Sequence, residues 1–256
     1  MNIIAFLKKW TLPSGLVIGA AVYLLFSRIA PLQPIGNVVG PFLVKLLPVV
    51  IFVMLYITFC KIQLGDLRPR AWHFILQAIR IVLSGLLVLA ILHTTNPMAK
   101  LVLEGAFVCV ICPTAAAAPV ITERLGGSIA SLTIYTILAN VVTSVIIPLF
   151  FPMVEKSADI TFLPAFVMIL RRITFVLIVP LCLALLTRKF LPKVAARIKE
   201  TKNLAFYLWG FNLSIIMGLT IRNILATQVY GTILALLLLL PLVISLLLFS
   251  IGKAVG

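Results

Sequence analysis

Apolar runs of roughly twenty residues recur along this chain, each closed by charges, prolines or a polar cluster, and none has the period-2 alternation of a barrel strand. About twenty residues of helix cross a hydrocarbon core of ~30 Å. In lipid every backbone polar group needs an internal partner, so only helices and closed barrels span it. Continuous apolarity selects the helix. Composition agrees: 63% of the residues are hydrophobic, 11% are charged and mean hydropathy is +1.25. A soluble domain is nearer ~45–50% apolar and ~25% charged. The expected fold class is all-α, a polytopic helical membrane protein.

Breaking the sequence at charges and prolines predicts eight spans, at residues 12–29, 42–62, 71–93, 98–125, 129–151, 165–187, 204–224 and 229–251. A Pro/Gly/Gln/Asn connector runs to Gly40, a polar loop covers 63–70, and a short connector carries Glu155, Lys156 and Asp159. A basic loop covers 188–202. Lys8, Lys9, Lys61, Arg68, Arg70, Arg124, the basic loop and Lys253 fall at one set of span ends. The opposite connectors hold only Arg28, Lys100, Lys156 and Arg222. The positive-inside rule then predicts a multi-pass protein of the inner (plasma) membrane with a cytoplasmic N-terminus. The stretch after Lys8 and Lys9 lacks a small-residue cleavage site and reads as a retained span.

A formal charge of +15 would point to nucleic acid in a soluble chain. Here the charges lie between apolar runs with no interleaved aromatics, so membrane lipid, not nucleic acid, is the expected partner. Cys60, Cys109, Cys112 and Cys182 all fall in apolar segments and read as packing residues. Cys109-x-x-Cys112 lacks the second pair or histidine that would complete a metal site. His73 and His93 stand at opposite ends of one span. Without paired aspartates, a Ser–His arrangement or a cofactor motif, the chain is not expected to be an enzyme or to hold a cofactor. A channel would need polar rings on several spans, and none stands out.

The fourth span is the most informative, Cys109-Val-Ile-Cys-Pro-Thr-Ala-Ala-Ala-Ala-Pro-Val-Ile-Thr-Glu-Arg124. Pro113 and Pro119 each remove an N–H and clash with the preceding turn, so the helix is expected to break near mid-bilayer. Transporters place substrates and ions at such breaks, where half-helix ends carry partial charge. In the third span Gln77 and Arg80 are one turn apart on one face. Arg80 lies about ten residues from either end, too deep to snorkel, where an arginine costs ~3 kcal/mol or more. It is expected to meet an anionic substrate or a carboxylate such as Glu104. On the fifth span Thr133, Thr136, Asn140 and Thr143 form a one-sided stripe, which could line a site or pack helices. Lys45 and Arg171–Arg172 read as interfacial anchors at span starts.

Pro48-Val-Val-Ile-Phe-Val-Met-Leu-Tyr56, Asp66-Leu-Arg-Pro-Arg70, Gln77 and Cys112-Pro-Thr-Ala ahead of the break resemble the bile acid:sodium symporter family. That resemblance implies ten spans in two inverted repeats of five, with crossed, broken fourth and ninth spans, a panel domain, a core domain and organic-anion substrates. It implies that Gln77 and Thr136 are ion-binding. The sequence departs from the family at Ala118-Pro119, where a Ser-Asn pair is usual, and at Leu132, where a serine is usual. Spans nine and ten, and the family's sodium-binding glutamate, are not found before Gly256. Residues 1–160 then correspond to one repeat (spans 1–2 panel, 3–5 core) and 161–256 to an incomplete second repeat.

The combined expectation is a secondary carrier of a small organic anion working by alternating access. Arg80, Thr114, Ala118, Pro119 and Asn140 would line the substrate site; Gln77 and Thr136 would offer one position to sodium as coupling ion. With five spans facing three, such a carrier would need a second copy of itself or a partner. The alternative is a non-transporting remnant or a passive facilitator.

Overall fold

A computed structural model describes residues 10–62, 64–155, 161–201, 203–227 and 231–255. Lys8, Lys9, Gln63, Lys156, Asp159, Lys202, Val229 and Gly256, all used above, lie outside the described residues. Within them every regular element is helical: α1 (Thr11–Arg28), α2 (Gln33–Phe59), α3 (Ala71–His93), α4 (Pro97–Ile111), α5 (Ala118–Arg124), α6 (Ile129–Val154), α7 (Phe162–Ile173), α8 (Val179–Phe190), α9 (Pro192–Glu200), α10 (Leu204–Ala226) and α11 (Gly231–Val255). Seven helical segments among the described residues are long and apolar enough to cross a membrane. The chain is thus built as a multi-pass helical membrane protein. The eighth expected span is the fourth, divided between α4 and α5.

Proline explains that division. Pro113 pushes Cys112 to φ −57°, ψ 136°, outside the helical region, and α4 ends at Ile111. Pro119 sits in the first turn of α5, where a missing N–H leaves no bond broken. Both prolines therefore flank the break instead of kinking a continuous helix. Elsewhere helix wins over proline. The connector expected before residue 42 is a 3₁₀ turn, Ala30–Leu32, and then α2 itself, with Pro34 in its first turn and Pro41 and Pro48 inside it. In lipid a proline helix forfeits one bond locally, whereas an open connector would strand several amides. Because α2 starts at Gln33 and α7 at Phe162, Lys45 and Arg171–Arg172 lie more than two turns inside their helices rather than at span starts.

The sixth span runs through α7 and α8, joined by a π turn at Thr174–Ile178. Pro180 follows that turn; in a regular α-helix its ring would clash with the carbonyl of Val176, four residues earlier, and the wider π turn offers room for it. The basic loop also differs from expectation. It is mostly α9, opened by Pro192 and anchored through buried Ala195, with Lys193, Arg197 and Lys199 exposed.

The chain forms two compact units that interleave along the sequence. The first, residues 1–64, 116–129 and 176–228, holds α1, α2, α5, α8, α9 and α10. Its centre is the packing of α10 on α1 and α2. Gly15 and Gly19 on α1 meet Gly210 and Ser214 on α10, and a Cβ added at Gly19 would collide with the Ser214 backbone. With no hydrophobic force between helices in lipid, such close backbone approach supplies the association.

The second unit, residues 65–115, 130–175 and 229–256, holds α3, α4, α6, α7 and α11. Val88 and Ile91 of α3, Phe107 and Ile111 of α4 and Ile146 of α6 make its buried apolar cluster. α11 buries only Ile233 among its described residues and leaves Leu236, Leu239, Leu242, Leu246 and Phe249 exposed. Such an apolar surface suits lipid as solvent.

Candidate functional site

The buried face of α3 changes character along its length. His73, Gln77, Arg80 and Ser84 recur at spacings of four, three and four, and the apolar Val88 and Ile91 continue the same face. Opposite, α6 buries Ser131, Thr133, Thr136, Thr143 and Ser144. The second unit therefore holds a polar seam closed at one end by its apolar cluster.

Arg80 is 7% exposed and lies in that seam. Its Nη2 donates to the Ala139 carbonyl at 2.9 Å and to Thr143 Oγ1. Its Nη1 points at the Cys112 carbonyl across a long 3.5 Å. That carbonyl is open because Pro113 ends the helix that would have used it. The Thr143 hydroxyl in turn donates to the Ala139 carbonyl at 2.8 Å, so the anchor is itself held in place. Arg80 Nε meets no hydrogen-bond partner among the described residues.

No carboxylate pairs with Arg80 among the described residues. The expected pairing with Glu104 is not formed, because Glu104 lies 3.8 Å from Lys100, four residues earlier on α4. The other ion pair among them is Lys61–Glu123, in the first unit. Among the described residues the guanidinium charge is thus met by carbonyl and hydroxyl dipoles. A buried cation without a counter-charge is costly by several kcal/mol. Functional arginines inside membranes carry this signature.

Gln77, one turn before Arg80, is 3% exposed, and both its amide oxygen and nitrogen lack partners among the described residues. Ser84 Oγ and Thr133 Oγ1 are buried and unpartnered in the same sense. Native interiors satisfy nearly all such groups, so each one left open calls for an explanation; Arg188 Nη1 and the Asn212 amide, in the first unit, are open in the same way. The end of the seam is conventional by contrast. His73 Nδ1 accepts from the Arg70 N–H at 3.1 Å, which leaves the proton on Nε2 of the neutral ring to donate to Ser131 Oγ at 3.2 Å. Trp72 and Tyr135 close that end, with ring centroids 5.4 Å apart.

The remaining sequence-predicted residues divide. Thr136 Oγ1 donates to the Leu132 carbonyl at 2.8 Å and Asn140 Nδ2 to the Thr136 carbonyl at 2.8 Å, so both side chains lie along their own helix. Thr114 is half-buried, two residues after the carbonyl that Arg80 faces. Ala118 and Pro119 begin α5 in the first unit, while Arg80, Gln77, Thr114, Thr136 and Asn140 belong to the second. Packing holds for buried Cys60, whereas Cys112 and Cys182 are exposed, Cys112 because the helix stops beside it. Ser84 was missed in sequence, although its place four residues after Arg80 puts it on the same face. Comparison with protein-family models, curated proteins and solved structures finds no match for this chain.

Proposed function

We propose that the chain is a secondary carrier of a small organic anion and that the polar seam of the second unit is where the anion binds. One observation carries this reading: Arg80 is buried in a membrane helix bundle and pairs with no carboxylate among the described residues, in a seam that also holds a glutamine and two hydroxyls without partners among them. A carboxylate or sulfonate would accept from the free Nε–H and from the Gln77 amide, and would supply the missing charge. Pro113 serves the same end by freeing backbone at the edge of the seam. The resemblance to organic-anion symporters supports the substrate class and alternating access as the mode of work.

Sodium is the coupling ion to test first. Gln77 Oε1 and the Thr133 hydroxyl are hard oxygen ligands of the right kind. Arg80, one turn away, repels any cation placed there until an anion offsets its charge. Sodium and substrate should therefore bind together rather than separately.

The test is uptake by purified protein in proteoliposomes, with radiolabelled acetate, pyruvate, succinate and taurocholate, under a sodium gradient, a proton gradient or neither. At least one anion should accumulate saturably, driven by sodium, and Arg80→Gln should abolish that uptake. No uptake of any anion, or full uptake by a folded Arg80→Gln protein, would sink the reading.

A further inference from the structure

We infer that the first unit holds a second, separate binding site, one for a phosphate group. A cavity of about 320 Å³ opens among the end of α2, the end of α5, α9 and the start of α10, lined by Lys61, Glu123, Arg124, Lys199, Asn203 and Phe206. That volume is at the small end of the ~300–1,000 Å³ usual for small-molecule sites.

Its charge is unbalanced. Lys61 and Glu123 neutralise one another at 2.7 Å, with the lysine side chain only 10% exposed. Arg124 and Lys199 have no carboxylate partner among the described residues, so the cavity keeps two positive charges. Arg124 is also fixed in place. Its Nη1 donates to Asn203 Oδ1 at 2.9 Å, and its guanidinium lies over the Phe206 ring, 5.4 Å from the centroid. A guanidinium held against a ring keeps its remaining N–H groups in a plane, the geometry that grips phosphate oxygens.

Asn203 adds to this by what it does not do. It occupies the N-cap of α10, yet its side chain caps no backbone N–H, because the side-chain oxygen is engaged by Arg124. Asn203 thus gives the first amides of a 23-residue helix no side-chain cap, and this positive helix end, with Asn203 and Phe206, borders the cavity. The opposing tendency, cations that merely balance the C-terminal ends of α2, α5 and α9, accounts for Lys61, Arg124 and Lys199 one at a time, but not for their convergence on one cavity with a carboxylate for only one of them.

The phosphate has two natural sources, the headgroup of an anionic phospholipid and a soluble phosphate ester. The basic helix α9 beside the cavity, with Lys193 and Arg197 exposed, suits either. This inference does not depend on the Arg80 site, and its readout is binding rather than uptake.

The experiment uses the full chain in a neutral detergent. Native mass spectrometry and thermal unfolding are recorded with phosphatidylglycerol, phosphatidylcholine, glycerol 3-phosphate and inorganic phosphate as probes. Phosphatidylglycerol or a soluble phosphate should bind at one site and raise the unfolding temperature, and phosphatidylcholine should not. Lys199→Gln, an exposed change expected to fold, and Arg124→Gln should each weaken that binding by about tenfold or more, and Lys253→Gln should leave it unchanged. Competition by millimolar glycerol 3-phosphate assigns the site to a soluble ester, and its absence assigns it to the lipid. Equal binding by wild type and Lys199→Gln, or no binding of any phosphate probe, overturns the inference.

Discussion

Gln77 separates a working site from a structural one, because stability and activity should respond to it in opposite directions. Its amide is buried and unpartnered among the described residues, which destabilises by ~1–3 kcal/mol. Gln77→Leu is therefore expected to raise the unfolding temperature in detergent while lowering anion uptake at least tenfold. A fall in both would make Gln77 a packing residue. Thr143 should behave otherwise. Its hydroxyl accepts from Arg80, a hydrogen bond to a charged group worth ~1.5–3 kcal/mol. Thr143→Val keeps shape but lets the guanidinium swing, so unfolding temperature and uptake should both fall, and Thr143→Ser should restore both. Arg80 itself was legible in the sequence, since depth in an apolar run is enough to mark an arginine. Its partners were less so. Thr143 stood in a stripe that served packing equally well, and the Cys112 carbonyl is a backbone atom with no side chain to announce it. Lys100, four residues before Glu104 on one helix, was the available sign that Glu104 was already engaged.

At the level of elements, proline position decides what a helix does here. Pro113 and Pro119 end and begin helices, while Pro41 and Pro48 are absorbed in α2. Pro113→Ala should let α4 run on past Ile111, closing the Cys112 carbonyl into a helical bond. Membrane insertion should survive and uptake should be lost, read by expression level and proteoliposome transport on the same preparation. α1 and α10 make a different demand. Gly19→Leu would place a side chain on the Ser214 backbone, and overpacking of this kind costs ~1–3 kcal/mol, visible as a lower unfolding temperature. Element boundaries followed the sequence where polar residues closed them, as at Ala71–His93. They failed at Gln33 and Pro192, where glycine, proline and charge were read by rules suited to water. In lipid, and at its edge, the backbone's need for internal bonds outweighs those local preferences.

For the whole molecule, composition was enough to point to a membrane protein, because no aqueous fold could hide that much apolar surface, and the continuous apolar runs were enough to choose helix over barrel. The interleaving of two compact units could not be read the same way, since helix order along a chain does not fix which helices pack together. The central claim is that the buried, carboxylate-free Arg80 binds an anion. Calorimetric titration of the purified chain with the anion it transports, in wild type and Arg80→Gln proteins that unfold at similar temperatures, tests it most directly. The account predicts one site in the wild type, tighter in sodium than in potassium, and at least tenfold weaker in Arg80→Gln. Equal affinity in the two proteins would contradict it.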